Sequence, residues 1–272
     1  MPIVTTSDKT DLYVKDWGEG RPVVLIHGWP LNADSWEYQA VKLAEAGYRV
    51  VAYDRRGFGR SSQPWTGYDY DTLSDDLAAV ISALGLTDAT IAGFSMGGGE
   101  VSRYMSRHGG KGVAQAALIS SIAPYMLKTE DHDGVPGEVF EEMKSGLRKD
   151  RAAFLQDFFK DFYGQGTEAG GVSDAVLHWT WSMAMMASPK ATLDCVDAFG
   201  RTDLRPDMDA FDVPTLVIHG TKDETVPIDS AGRAAAKMIR GAELKEYEGA
   251  PHGLTATEPD RVTDDLLAFL KG

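Results

Sequence analysis

The chain has 272 residues, 43% hydrophobic and 25% charged, which suits one large α/β domain with an inserted lobe better than two independent domains. Its net charge of −14 would repel nucleic acid and anionic membrane surfaces alike, and six protonated histidines would not reverse the sign. The single cysteine, Cys195, excludes an intrachain disulfide or a zinc-finger pattern and reads as a packing residue.

The opening M-P-I-V-T-T-S-D-K-T has no basic segment followed by an apolar one, so a cytoplasmic address is expected. No run approaches the roughly 18 apolar residues of a membrane span. Residues 11–17 alternate apolar and polar as a half-exposed strand, and Gly18-Glu19-Gly20 turns the chain. P-V-V-L-I at 22–26 is too short for a helix and too apolar for a surface strand, so it predicts a buried parallel strand. A helix is expected over 34–46 with Asp34 as its N-cap, then a strand over 48–53, a helix over 73–84 closed by Gly85, and a strand at 90–92. A helix running through Tyr104 and Met105 and a buried strand at 114–119 follow.

Strands alternating with helices at this spacing predict a mostly parallel sheet with helices on both faces. From 121 to 213 the pattern changes to helical stretches at 139–147, 151–162, 174–187 and 191–199 with no convincing strand, as expected of a helical lid. Residues 1–120 and 214–272 would form the core. The sheet resumes at 213–219, a helix is expected at 231–239, a last strand at 242–247 and a last helix at 261–270.

Chemistry concentrates in loops at the strand ends. Gly93-Phe94-Ser95-Met96-Gly97 follows a strand and precedes a helix, the setting of a G-x-S-x-G nucleophile elbow. A turn directly from strand into helix strains its apex and crowds the positions two residues away, where a Cβ would clash. It exposes the Ser95 hydroxyl and points the Met96 N–H where an oxyanion would form. A serine needs a base, and the base an orienting acid. Asp223 follows the strand at 213–219, and His252 in Gly249-Ala250-Pro251-His252-Gly253 follows the last one, in the expected Ser, Asp, His order. Glu224 is the weaker acid by its offset from the strand end; His219 reads as a packing or backbone-bonding residue, and His108, His132 and His178 have no partner motif. Trp29, in His27-Gly28-Trp29-Pro30, is the second oxyanion donor by elimination, because Pro30 has no N–H.

These segments carry a resemblance. H-G-W-P, A-Y-D-R-R-G-F-G-R-S-S-Q-P-W-T-G-Y-D-Y-D-T, G-F-S-M-G-G-G-E, H-G-T-K-D-E-T-V-P and E-G-A-P-H-G-L look like an α/β-hydrolase over essentially the whole chain. More narrowly, they resemble the cofactor-free haloperoxidase/perhydrolase and bacterial arylesterase group. The resemblance implies an α/β-hydrolase fold with a helical lid after the sixth strand, Ser95, Asp223 and His252 as a triad, and Trp29 and Met96 as the oxyanion hole. It implies no metal and no cofactor; a peracid, made from an ester or carboxylic acid and hydrogen peroxide, would oxidise halide away from the protein. It also leaves room for a homo-oligomer.

Phe158 and Phe162, at i and i+4, with Trp181, Met185 and Val226, are the expected walls of an apolar acyl pocket suited to a small neutral or aromatic ester. Pro30 is expected to help choose between water and peroxide. A lactamase or amidase using the same triad is the nearest rival reading, and a non-catalytic small-ligand receptor the next. Dehalogenases and epoxide hydrolases need a carboxylate nucleophile, which Ser95 is not.

Overall fold

The structure is a computed structural model describing residues 2–168 and 170–272. Eight strands form one sheet: β1 (Ile3–Thr5), β2 (Asp11–Trp17), β3 (Pro22–Ile26), β4 (Arg49–Tyr53), β5 (Ala89–Phe94), β6 (Val113–Ile119), β7 (Thr215–Gly220) and β8 (Glu243–Tyr247). Their order is β1-β2-β4-β3-β5-β6-β7-β8; β2 runs antiparallel to both β1 and β4, and every later pairing is parallel. Every residue of β3, β5 and β7 is buried, which is why their sequences are mostly apolar and do not alternate. Val23, Val24, Leu25 and Ile26 each contribute about 1.5–3 kcal/mol by leaving water.

The helices are α1 (Glu37–Glu45), α2 (Tyr70–Ala83), α3 (Met96–Arg107), α4 (Gly137–Phe162), α5 (Asp174–Met185), α6 (Pro189–Arg201), α7 (Gly232–Met238), α8 (Leu254–Thr257) and α9 (Pro259–Lys271). Helices cover both faces of the sheet, α2 packing on α3 and α1 on α9, while α4, α5 and α6 lie between β6 and β7 in the chain. The register levels the strands' carboxyl ends: Ile26 lies opposite Gly93, Phe94 opposite Ile119, and Ile119 opposite Ile218. The loops after β3, β5, β7 and β8 therefore open on one edge.

Local differences from the sequence reading have physical causes. Asp34 is not the N-cap of the first helix; Asn32 accepts the Asp34 N–H at 2.9 Å and starts a 3-10 turn at Ala33–Trp36 that leads into α1. The Asp34 carboxylate instead pairs with Lys15 and Arg60. The two helices expected at 139–147 and 151–162 are one element broken at Asp150 (φ −158°, ψ 91°), whose side chain accepts from the Ala153 N–H at 3.0 Å and restarts the helix as an N-cap does. β1 and α8 carry no sequence signal: the first has one buried residue among three, and the second is a single turn.

Candidate active site

Ser95 sits between β5 and α3 with φ 54° and ψ −119°, a conformation that costs a non-glycine residue about 1–3 kcal/mol. Its surroundings fix it from both sides: its N–H donates to the Ile119 carbonyl at 2.9 Å, and its carbonyl accepts from Gly98 at 3.0 Å and Ile122 at 3.3 Å. The flanking glycines are required by crowding, since a Cβ on Gly93 would run into the Gly97 carbonyl and one on Gly97 into the Ile26 carbonyl.

The Ser95 hydroxyl lies 2.9 Å from His252 Nε2, and His252 Nδ1 lies 2.7 Å from Asp223 Oδ2. All three residues are buried. Phe94 and Phe162 flank the His252 ring, with centroids 5.3 and 4.7 Å away, and Ser120 Oγ donates to the His252 carbonyl at 2.9 Å. Asp223 Oδ1 accepts from the backbone N–H groups of Val226 at 2.7 Å and Thr225 at 3.0 Å. Burial alone would raise the Asp223 carboxyl; the charge of His252 and hydrogen bonds from His219 and His252 outweigh it and hold the group at about 2. Such a chain of groups can take a proton from the hydroxyl while the carboxylate orients and stabilises the ring that receives it. Trp29 borders the same space, and among the described residues neither its backbone N–H nor that of Met96 donates to a protein acceptor. Two such donors can meet a developing oxyanion.

The α/β hydrolase fold family matches residues 21–259. The chain belongs to that family. Within it, the chain groups with the non-haem haloperoxidases and perhydrolases. It is 46% identical over 273 residues to the non-heme chloroperoxidase of Kitasatospora aureofaciens, covering 99% of each chain. It is 42% identical over 276 residues to the bifunctional esterase/perhydrolase of Acinetobacter calcoaceticus, covering 100% of both. The crystal structure of the bromoperoxidase from Bacillus anthracis superposes with a TM-score of 0.95 at 45% identity, covering 100% of this chain and 99% of that one.

Beneath the site of this α/β-hydrolase lies a buried network that the sequence reading used only as a family marker. The Arg55 guanidinium pairs through Nε with Glu100 of α3 and donates through Nη2 to the His27 carbonyl at 2.6 Å. Tyr53 donates to the other Glu100 oxygen at 2.7 Å. His27 Nε2 accepts from the Arg55 backbone N–H at 3.0 Å, so Nδ1 carries the proton, 2.8 Å from the Gly28 carbonyl. Burial first, then the Arg55 charge, push the His27 imidazole well below its usual range. The network ties the loop bearing Trp29 to the helix that begins at Met96. D-R-R-G-F-G signalled it only as a motif, because its partner Glu100 lies 45 residues along the chain.

Ser95 and His252 stand at the wall of a cavity of about 490 Å³. Its apolar lining includes Phe158, Phe162 and Val226, as expected, and also Trp29, Ile122, Met126, Val135, Val139, Phe140, Met143, Phe154 and Phe199. Phe154 could have been read from the sequence, since 154, 158 and 162 continue one i, i+4 face of α4. Four carboxylates, of Glu142, Asp157, Asp161 and Glu224, also border it, and among the described residues no lysine or arginine does. Three residues expected at the site lie elsewhere. Trp181 donates its indole N–H to the Ala152 carbonyl at 2.9 Å and stacks on His178, so it stitches α5 to α4. Met185, at the end of α5, packs against the core, and no described residue of α5 reaches the cavity. Pro30 is buried, is joined to Trp29 by a cis peptide bond, and does not border the cavity. Among the described residues no group of three His, Cys, Asp or Glu side chains is placed to hold a metal, and no helix is long and apolar enough to cross a membrane.

Proposed function

We propose that this protein is a serine hydrolase that cleaves small aryl or alkyl carboxylic esters through an acyl-enzyme on Ser95 and passes the acyl group to water or to hydrogen peroxide. The observation that carries the reading is the unbroken Ser95–His252–Asp223 chain of hydrogen bonds, open on an apolar cavity beside two free backbone N–H groups. The esterase/perhydrolase named above supports it.

In this mechanism His252 Nε2 takes the hydroxyl proton as Ser95 Oγ bonds to the ester carbonyl carbon. The carbonyl oxygen becomes an oxyanion against the Trp29 and Met96 N–H groups, each worth about 3 kcal/mol in the transition state. Collapse breaks the bond to the alcohol oxygen, which leaves with the proton from His252. Water or hydrogen peroxide then gives a proton to His252 and attacks the acyl carbon; collapse releases acid or peracid and returns the proton to Ser95 Oγ. Residues 121–213 act as a cap over the core formed by 1–120 and 214–272, and Phe158, Phe162 and Val226 wall the acyl group. The acidic border favours neutral esters over anionic ones. A cytoplasmic location and a homo-oligomer complete the proposal; the free, buried Cys195 suits a reducing compartment.

Pro30 acts through Trp29. The Trp29 carbonyl accepts no hydrogen bond among the described residues, and we place it against the distal O–H of peroxide, a group water lacks. One neutral hydrogen bond of about 1 kcal/mol shifts the partition about five-fold. The test is hydrolysis of p-nitrophenyl acetate with and without peroxide, with Ser95→Ala as the blank. Wild type should release p-nitrophenol and form peracid, and Pro30→Leu should lower the peracid-to-acid ratio about five-fold. Equal turnover by Ser95→Ala would overturn the reading, and an unchanged ratio would remove Pro30 from it.

A further inference from the structure

His219, in β7, has no part in the mechanism above, yet it is fully buried four residues before Asp223. Its Nε2 lies 2.9 Å from the Val226 carbonyl and 3.2 Å from Asp223 Oδ2. A carbonyl can only accept, so the ring proton sits on Nε2, where the carboxylate shares it. Oδ2 is the same oxygen that faces His252 Nδ1. The Asp223 carboxylate thus meets two backbone N–H groups on Oδ1 and two imidazoles on Oδ2. His219 Nδ1 has no partner, and a Cβ on Gly232 would stand 2.7 Å from it. A side chain at 232 would collide with the ring, so the glycine leaves room for it. The ionisable groups around the ring are Asp223 and His252 from the adjoining loops, and Glu246 across the register in β8, itself paired with Arg233 of α7.

We propose that His219 is a positioning residue of the triad: its Nε2–H holds Asp223 Oδ2 against His252 and draws off part of the carboxylate's charge. The inference rests on the triad reading above. A carboxylate that shares its charge with a second donor stabilises the protonated His252 ring less, so His252 stays available as a base at lower pH. Removing the donor concentrates the charge on His252 and frees the Val226 carbonyl. The base must be neutral to act, so the acid limb of kcat/KM then moves to higher pH.

The experiment compares His219→Met, which lacks the donor, with His219→Gln, whose side-chain amide can supply one. For His219→Met the expected result is a kcat about ten-fold lower, a KM within about two-fold, and an acid limb about half a pH unit higher. His219→Gln should recover most of the rate and bring the limb back. A residue that only packs the fold would lower the melting temperature and leave the limb in place, and that outcome would overturn the proposal. The wild type supplies a second test that needs no variant. Nitrogen-15 NMR of labelled histidines should show His219 protonated at Nε2 and bare at Nδ1; a proton on Nδ1 alone would equally overturn it. If wild type lacks esterase activity, or Ser95→Ala retains it, the triad reading fails first; if only the His219 variants behave like wild type, this inference fails alone.

Discussion

The carboxyl edge of the sheet and the helical segment between β6 and β7 meet at Ser95 and are built on opposite principles. At the sheet edge, buried polar groups hold one another directionally: His252 between Ser95 and Asp223, and Arg55 between Glu100 and the His27 carbonyl. In the helical segment, Phe154, Phe158, Phe162 and Phe199 shape the cavity by packing alone. Directional networks fail when one partner is removed, because the other is left buried and unsatisfied. Apolar walls tolerate a change of shape at nearly constant volume. In the proposed mechanism the first region would fix the chemistry and the second would tune the substrate.

Asp223→Asn should produce the largest effect, a kcat lower by about 10³–10⁴ with KM changed only a few-fold, because the ring loses its orienting anion. The same variant tests acid stability. The folded Asp223 carboxyl, at about 2, lies below its ordinary 3.8, so its contribution is complete above about pH 5 and is lost as pH falls through 3.8 toward 2. Between pH 5 and pH 2, wild type should lose on the order of 2 kcal/mol more than Asp223→Asn in denaturant titrations. Equal losses would mean that the carboxylate is not held by its partners.

Breaking the second network should cost stability before rate. Arg55→Met leaves Glu100 buried without its cation, and urea unfolding should register a loss of about 3–5 kcal/mol. Adding Glu100→Leu should restore much of it, because the unpaired charge is then gone. The cavity should respond least. Phe158→Ala should raise KM for an aryl ester about ten-fold through lost burial, whereas Trp181→Phe should cost about 1 kcal/mol of stability and leave KM unchanged. A KM change in Trp181→Phe would put α5 back at the cavity wall.

The same contrast governs what could be read from the sequence. The strands at 22–26, 90–92 and 114–119 were legible because burial on both faces favours mostly apolar residues over alternation. Ser95, Asp223 and His252 were legible because each follows a strand end in a short loop, and the level register brings those ends to one edge. Trp181 and Met185 misled because an apolar helix face does not say whether it meets a cavity or a neighbouring helix, and here it meets α4. Arg55–Glu100 and His219–Asp223 stayed hidden for different reasons. The first pair joins residues far apart in the chain, and in the second a strand-end histidine looks the same whether it bonds backbone alone or a carboxylate as well.

The most direct test of the central claim is covalent labelling. Incubated with a fluorophosphonate and analysed as intact protein and as peptides by mass spectrometry, wild type should carry one adduct per chain, on Ser95, with loss of ester turnover in step with labelling. Ser95→Ala should stay folded, unlabelled and inactive. An adduct on another residue, or turnover that survives complete labelling of Ser95, would contradict the account.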